Sequence, residues 1–189
     1  MAITLKHPKP VTDDEILELS RLNPGYRFER TAEGELIVTP TGGESGRREN
    51  ALNAQLYAWA ERDGRGVTFS PSTMFILPDG SRFMPDASWV PHTRYHKLSK
   101  KERRGWLPLC PNAAFEIASP NDSVADLREK VLAYLANGAE LTVLIDPDER
   151  VVEVHRPQQE PETHRNPSTV ALDPELPGFV LVLEPIFAT

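Results

Sequence analysis

The chain has 189 residues, 39% hydrophobic and 26% charged, proportions that suit one folded domain with its own core and exclude a disordered or fibrous protein. No apolar run approaches the about 18 residues that cross a bilayer, so a membrane span is not expected. The formal charge of -7 argues against phosphate binding by the chain as a whole, because that needs Lys and Arg in excess. The N-terminal MAITLKHPKPVTDDE holds no signal-length apolar stretch, so secretion is not expected. The single Cys110 excludes an intrachain disulfide and fits a reducing cytoplasm.

In chain order, Thr12 and Glu15 form a T-x-x-E capping box that predicts a helix over about 12–22. YRFER and ELIVTP flank the turn at Ala32-Glu33-Gly34 and predict a β-hairpin. PTGGESG reads as a loop. From Arg47 to about Arg62, the spacing of Leu52, Leu56, Trp59 and Ala60 predicts an amphipathic helix. VTFS, TMFIL and RFMPDASWV read as strands, and a basic segment follows with a short helix near Lys100 to Arg104. AAFEIAS is predicted as a central strand, and a helix then runs from about Val124 to Asn137, closed by Gly138. LTVLID and VVEVHR read as strands, Pro157 to Pro167 as a loop, and FVLVL as a last strand. This order predicts an α/β (α+β) fold on one mixed sheet, a single domain over 1–189 with its core at about 25–156 and closing strands at about 168–187.

Three residues carry the chemistry. Glu116 interrupts the apolar strand Ala113–Ala118, where an unpaired carboxylate costs several kcal/mol. Strand alternation puts Phe115 and Ile117 on one face and Glu116 with the small Ala114 and Ala118 on the other. A buried carboxylate over small neighbours needs a cation, whether a metal, a Lys or an Arg. Asp86, after Pro85, opens the strand Asp86–Val90, with Asp86 and Ser88 pointing one way and Ala87 and Trp89 the other. Two carboxylates facing the same side from adjacent strands make a hard-oxygen site suited to Mg²⁺, with the Ile117 carbonyl as a third oxygen. Lys130 falls on one helical stripe with Leu127, Val131 and Tyr134. A lysine on an apolar stripe is unusual; it either snorkels from the edge or places its ammonium near Glu116.

PD at 85–86, FEIASP at 115–120, the Glu129-Lys130 pair, LTVLIDP…VVEVHRP, the PTGGESG loop and the closing PGFVLVL resemble a bacterial restriction-endonuclease-like family of the PD-(D/E)XK nuclease superfamily. The similarity runs from about Gly25 to Phe187. It implies a mixed central sheet flanked by helices with additional β-hairpins, and Asp86 and Glu116 as ligands of Mg²⁺ or Mn²⁺. The superfamily's E-x-K lysine would stand at 118, which here is Ala118; in this family it appears on the following helix, which Lys130 matches. Glu44 is carried over as an additional acid. The implied activity is hydrolysis of phosphodiester bonds in DNA, and the resemblance is compatible with a homodimer, since two strands need two sites. Arg47, Arg48 and the segment with Arg94, Lys97, Lys100, Lys101, Arg103 and Arg104 are the candidates to grip phosphates. Two rivals are a catalytically inactive nuclease fold that binds nucleic acid or a partner, and a glycosidase using Asp86 and Glu116 as its carboxylate pair. His92 and His96 have a zinc-like spacing of four, but without Cys or H-E-x-x-H context.

Overall fold

The computed structural model describes residues 2–6, 9–120 and 122–188. Its elements are β1 (Ile3–Leu5), α1 (Asp13–Leu22), β2 (Tyr26–Arg30), β3 (Leu36–Pro40), α2 (Gly43–Asp63), β4 (Gly66–Phe69), β5 (Phe75–Ile76), β6 (Arg82–Phe83), β7 (Ala87–Pro91) and α3 (His92–Tyr95). After a 3-10 turn at Glu102–Arg104 come β8 (Ala113–Ile117), α4 (Val124–Ala136), β9 (Leu141–Asp146), β10 (Val151–His155), β11 (Glu162–Arg165), β12 (Thr169–Ala171), β13 (Val180–Val182) and α5 (Glu184–Phe187). The fold is mixed α+β. Instead of one sheet there are two sheets and a separate β12–β13 pair.

The central sheet has the order β11-β10-β9-β8-β7-β4. Only β8 and β9 are parallel, and α4 supplies the crossover that a parallel pair requires. Both strands are buried along almost their whole length, as their near-continuous apolar runs demand for a sheet covered on both faces. One face packs on Leu52, Leu56 and Trp59 of α2 and on the C-terminal Phe179, Leu181 and Phe187. The other packs Ala114 against Tyr134 of α4 and against Phe75 and Phe83 of the second sheet. Each of these large side chains contributes about 1.5–3 kcal/mol through burial. The second sheet, β1-β3-β2-β6-β5, is antiparallel throughout. Its β2 carries Phe28 toward α1, where Ile16 is fully buried.

Local chemistry explains the boundaries and the departures from expectation. Thr12 accepts from the Glu15 N–H while the Glu15 carboxylate accepts from the Thr12 N–H, closing the capping box that starts α1. α2 begins at Gly43, inside the stretch expected to be a loop. Gly42 caps it in extended backbone, and Glu44 in its first turn pairs with Arg47 one turn on, an arrangement the helix dipole favours. The expected loop from Pro157 to Pro167 contains β11, which sits on the outer edge of the sheet. Its prolines flank the strand and cost no ladder bond there. RFMPDASWV, expected as one strand, is divided between sheets: β6 ends at Phe83 and β7 starts at Ala87. No described helix is long and apolar enough to cross a membrane.

Gly66 is required by close approach. A Cβ there would lie 2.5 Å from the Trp89 ring and 2.5 Å from the Val90 carbonyl oxygen. Gly66→Ala should therefore destabilise the chain by about 1–3 kcal/mol, read as a lower urea midpoint; an unchanged midpoint would show that β4 can shift freely.

Candidate active site

The break between β6 and β7 puts Asp86 at the mouth of the central sheet. Its N–H donates to the Phe115 carbonyl at 2.9 Å, its Oδ2 accepts from the Ile117 N–H at 2.8 Å, and its carbonyl accepts from Asn53 at 2.7 Å. These bonds fasten the residue to β8 and α2. Its Oδ1 accepts from Arg27 Nη1 at 3.0 Å, and Arg27 Nη2 reaches Glu49 at 2.9 Å.

Glu116, one strand over, is 3% exposed. Its Oε1 accepts from Lys130 Nζ at 2.9 Å and from the Tyr134 hydroxyl at 3.1 Å. The same ammonium lies 2.9 Å from Glu29. Lys130 thus crosses from α4 to join the two sheets, and the i,i+4 spacing to Tyr134 puts both groups on Glu116. Arg27, Glu29, Asp86, Glu116, Ile117 and Lys130 line a cavity of about 70 Å³.

Four carboxylates (Glu29, Glu49, Asp86, Glu116) face two cations (Arg27, Lys130), an excess of negative charge when all are ionised. Burial pushes the Glu116 carboxyl up to about 8; the Lys130 ammonium opposes this and the Asp86 and Glu29 carboxylates add to it. Burial and then the Asp86 charge raise Glu49 to about 7, against the pull of Arg27. Burial alone would lower Lys130, but Glu116, Glu29 and Asp86 outweigh it and hold the ammonium above its ordinary value. Among the described residues, no three His, Cys, Asp or Glu side chains are grouped as a ready metal shell; Arg27 and Lys130 stand between the acids.

Asp86, Glu116, Ile117 and Lys130 come together. The other candidates stand elsewhere. Glu44 pairs with Arg47 at 2.7 Å and with Arg48 at 3.2 Å, and it does not line the cavity. The acid that α2 turns toward the site is Glu49. Ser45, Glu49 and Asn53, each four apart, form one face of that helix, with Ser45 Oγ 2.9 Å from Ser119 Oγ. Arg48, expected to meet phosphates, is buried against Glu44 and Asp148, which leaves its guanidinium no open surface to offer. Arg47 stays exposed and bonds the Pro185 carbonyl. Arg94 donates to Asn112 at 2.6 Å. Lys97, Lys100, Lys101, Arg103 and Arg104 are exposed, away from the cavity lining. His92 and His96 share one helical turn, their rings stacked at 4.8 Å. Trp89 packs edge-on against Trp59 on the far face of the sheet, so it offers the acids no sugar platform.

Arg27, Glu29, Glu49 and Tyr134 were not among the residues picked from sequence. The available signal was the alternation of β2, which puts Arg27 and Glu29 opposite the core residue Phe28. What was missing was the partner for that face, because it lies on another sheet.

A central mixed sheet with acids at the ends of neighbouring strands, and a lysine from the crossover helix, defines a protein of the restriction-endonuclease-like nuclease fold. The chain belongs to the Uma2 family, described as "Putative restriction endonuclease", whose model matches residues 13–184. It is similar in structure to a protein from Anabaena variabilis ATCC 29413 described as "a putative nuclease belonging to DUF820": TM-score 0.77, 25% identity, with 95% of this chain and 98% of that one covered. No curated protein matches it.

Proposed function

We propose that the chain is a metal-dependent endonuclease that hydrolyses phosphodiester bonds in DNA, with Asp86 and Glu116 holding Mg²⁺ (or Mn²⁺) and the Ile117 carbonyl as a third oxygen. The observation that carries this reading is the unbalanced negative charge around the cavity, centred on two acids from adjoining strands. The donors fit a hard divalent cation. The cavity of about 70 Å³ also has room for a cation and water, since one water needs about 10–15 Å³. When bound, the cation would supply Lewis acidity at the phosphoryl oxygen. Lys130 stays protonated, so its part is to orient water and offset developing charge, not to accept a proton. The reading includes a cytoplasmic location and a homodimer, one site for each strand.

The test is cleavage of plasmid and single-stranded DNA with Mg²⁺, Mn²⁺ or EDTA. Native protein should cut only with metal, and Asp86→Ala should lower the rate by on the order of 100-fold or more, since even outer-shell changes cost 10–100-fold. A second reading, a nuclease fold that binds without cutting, is favoured by Ala118 at the usual lysine position and by the way Arg27 and Lys130 already occupy the acids. Absence of cutting together with absence of Mg²⁺ binding in calorimetry would decide for that second reading.

A further inference from the structure

A second concave surface, a groove of about 1050 Å³, shares no lining residue with the carboxylate cavity. Phe69, Met74, Lys101, Arg103, Arg104 and Trp106 line it. Met74 belongs to the apolar cluster with Ile16 and Phe28, whereas Arg27 and Glu29 leave β2 from the opposite face. The groove therefore lies across the second sheet from Asp86 and Glu116.

Its chemistry is unlike that of the acidic cavity. Lys101, Arg103 and Arg104 are exposed on or beside the 3-10 turn. Arg103 sits 5.7 Å over the Tyr95 ring. The one acid of the lining, Glu102, is occupied by Ser99, which donates to its carboxylate at 2.7 Å. In a chain of net charge -7, three cations beside a half-buried tryptophan form a local exception. Cations suit phosphates, and an aromatic ring suits the face of an unpaired base. A duplex offers phosphates but hides its base faces in the stack. An acidic peptide offers charge without a planar group to match Trp106.

We propose that this groove binds single-stranded nucleic acid, with phosphates on Lys101, Arg103 and Arg104 and a base stacked on Trp106. The proposal deepens the nuclease reading and rests on it for its purpose: the groove anchors a strand outside the cleavage pocket without reading its sequence.

The structure supplies the probe. Trp59 is 3% and Trp89 5% exposed, so quenching of tryptophan fluorescence by a bound strand reports Trp106. Oligothymidylate of about 12 nucleotides, within the span such sites cover, is titrated into the full chain in EDTA. Saturable quenching is expected. Trp106→Phe should remove the signal while retaining a stacking ring, so anisotropy of labelled strand should still show binding. Arg103→Ala/Arg104→Ala, both on exposed side chains that leave the core intact, should lower the slope of log affinity against log salt by about 0.7 for each cation removed. In cleavage assays this double variant should raise KM and leave kcat unchanged. Absence of quenching, quenching that survives Trp106→Phe, or equal affinity for duplex or polyglutamate would overturn the proposal. Because EDTA uncouples binding from chemistry, binding without cleavage counts against the nuclease reading alone, and cleavage without binding counts against the groove alone.

Discussion

Lys130→Met should abolish metal-dependent cleavage and destabilise the chain by about 3–5 kcal/mol, the cost of removing one partner from a buried ion pair. Methionine keeps the volume and the apolar stem of lysine, so the loss would measure charge and not packing. The ammonium is 2.9 Å from both Glu116 and Glu29, two residues that are almost fully buried. Without it both carboxylates face a cavity with no cation of their own, and they would take up protons to escape the cost. The destabilisation should therefore be smaller at acid pH. Denaturant unfolding of native and variant protein at pH 5 and pH 8 checks this. The double variant Lys130→Met/Glu116→Gln should recover much of the stability and none of the activity. Lys130→Arg should not restore cleavage, because a planar fork cannot replace a point charge between two carboxylates. A Lys130→Met protein as stable as the native chain would show that the ion pairs do not form in solution.

Glu116→Gln should change the pH dependence of stability. The Glu116 carboxyl is raised to about 8 in the folded chain from an ordinary 4.5, first by burial and then by Asp86 and Glu29, with Lys130 opposing. A raised folded value means that the protonated form is favoured on folding. Its contribution is fully present below pH 4.5 and is lost as pH climbs through about 8. Glu49, raised to about 7, acts in the same direction over a narrower window. The metal-free native chain should thus lose stability relative to Glu116→Gln across this range. The difference should amount to several degrees of melting temperature, since about 1 kcal/mol moves it by about 2–4 °C in a chain of this size. Mg²⁺ should reverse the loss at pH 8 and do little at pH 5, because binding needs the ionised carboxylates. In Glu116→Gln the metal effect should nearly vanish. A constant difference between the two proteins from pH 5 to pH 8 would show that Glu116 is ionised throughout.

Several of these residues could be chosen from the chain alone because they break a local pattern. Glu116 stands in a run that otherwise reads Ala-Ala-Phe-Ile-Ala, and a charge in such a strand requires a partner whatever the fold. Lys130 interrupts the apolar stripe of α4, which left two directions for it, out to the edge or in toward Glu116, and the fold takes the second. Glu44 illustrates the opposite case. It stands at the right end of the right helix, but in the first turn of α2 it pairs with Arg47 and Arg48, whereas Glu49 reaches Arg27 beside Asp86. Each residue turns the helix face by about 100°, so two acids five residues apart point in different directions.

Amino-acid pattern by itself determined the elements with strong periodicity: the capped α1, the buried faces of α2 and α4, and the apolar strands β8 and β9. These depend on neighbours within a few residues, where spacing and side-chain type suffice. Tertiary structure alone decided which charges meet. Arg27 and Asp86 are 59 residues apart in sequence yet bonded at 3.0 Å. The division of RFMPDASWV between two sheets, which places Asp86 at the gap between them, was likewise settled only by long-range pairing. The physical reason is that a carboxylate in a low-dielectric cavity is governed by every charge within a few ångströms, and those charges here come from two sheets and two helices.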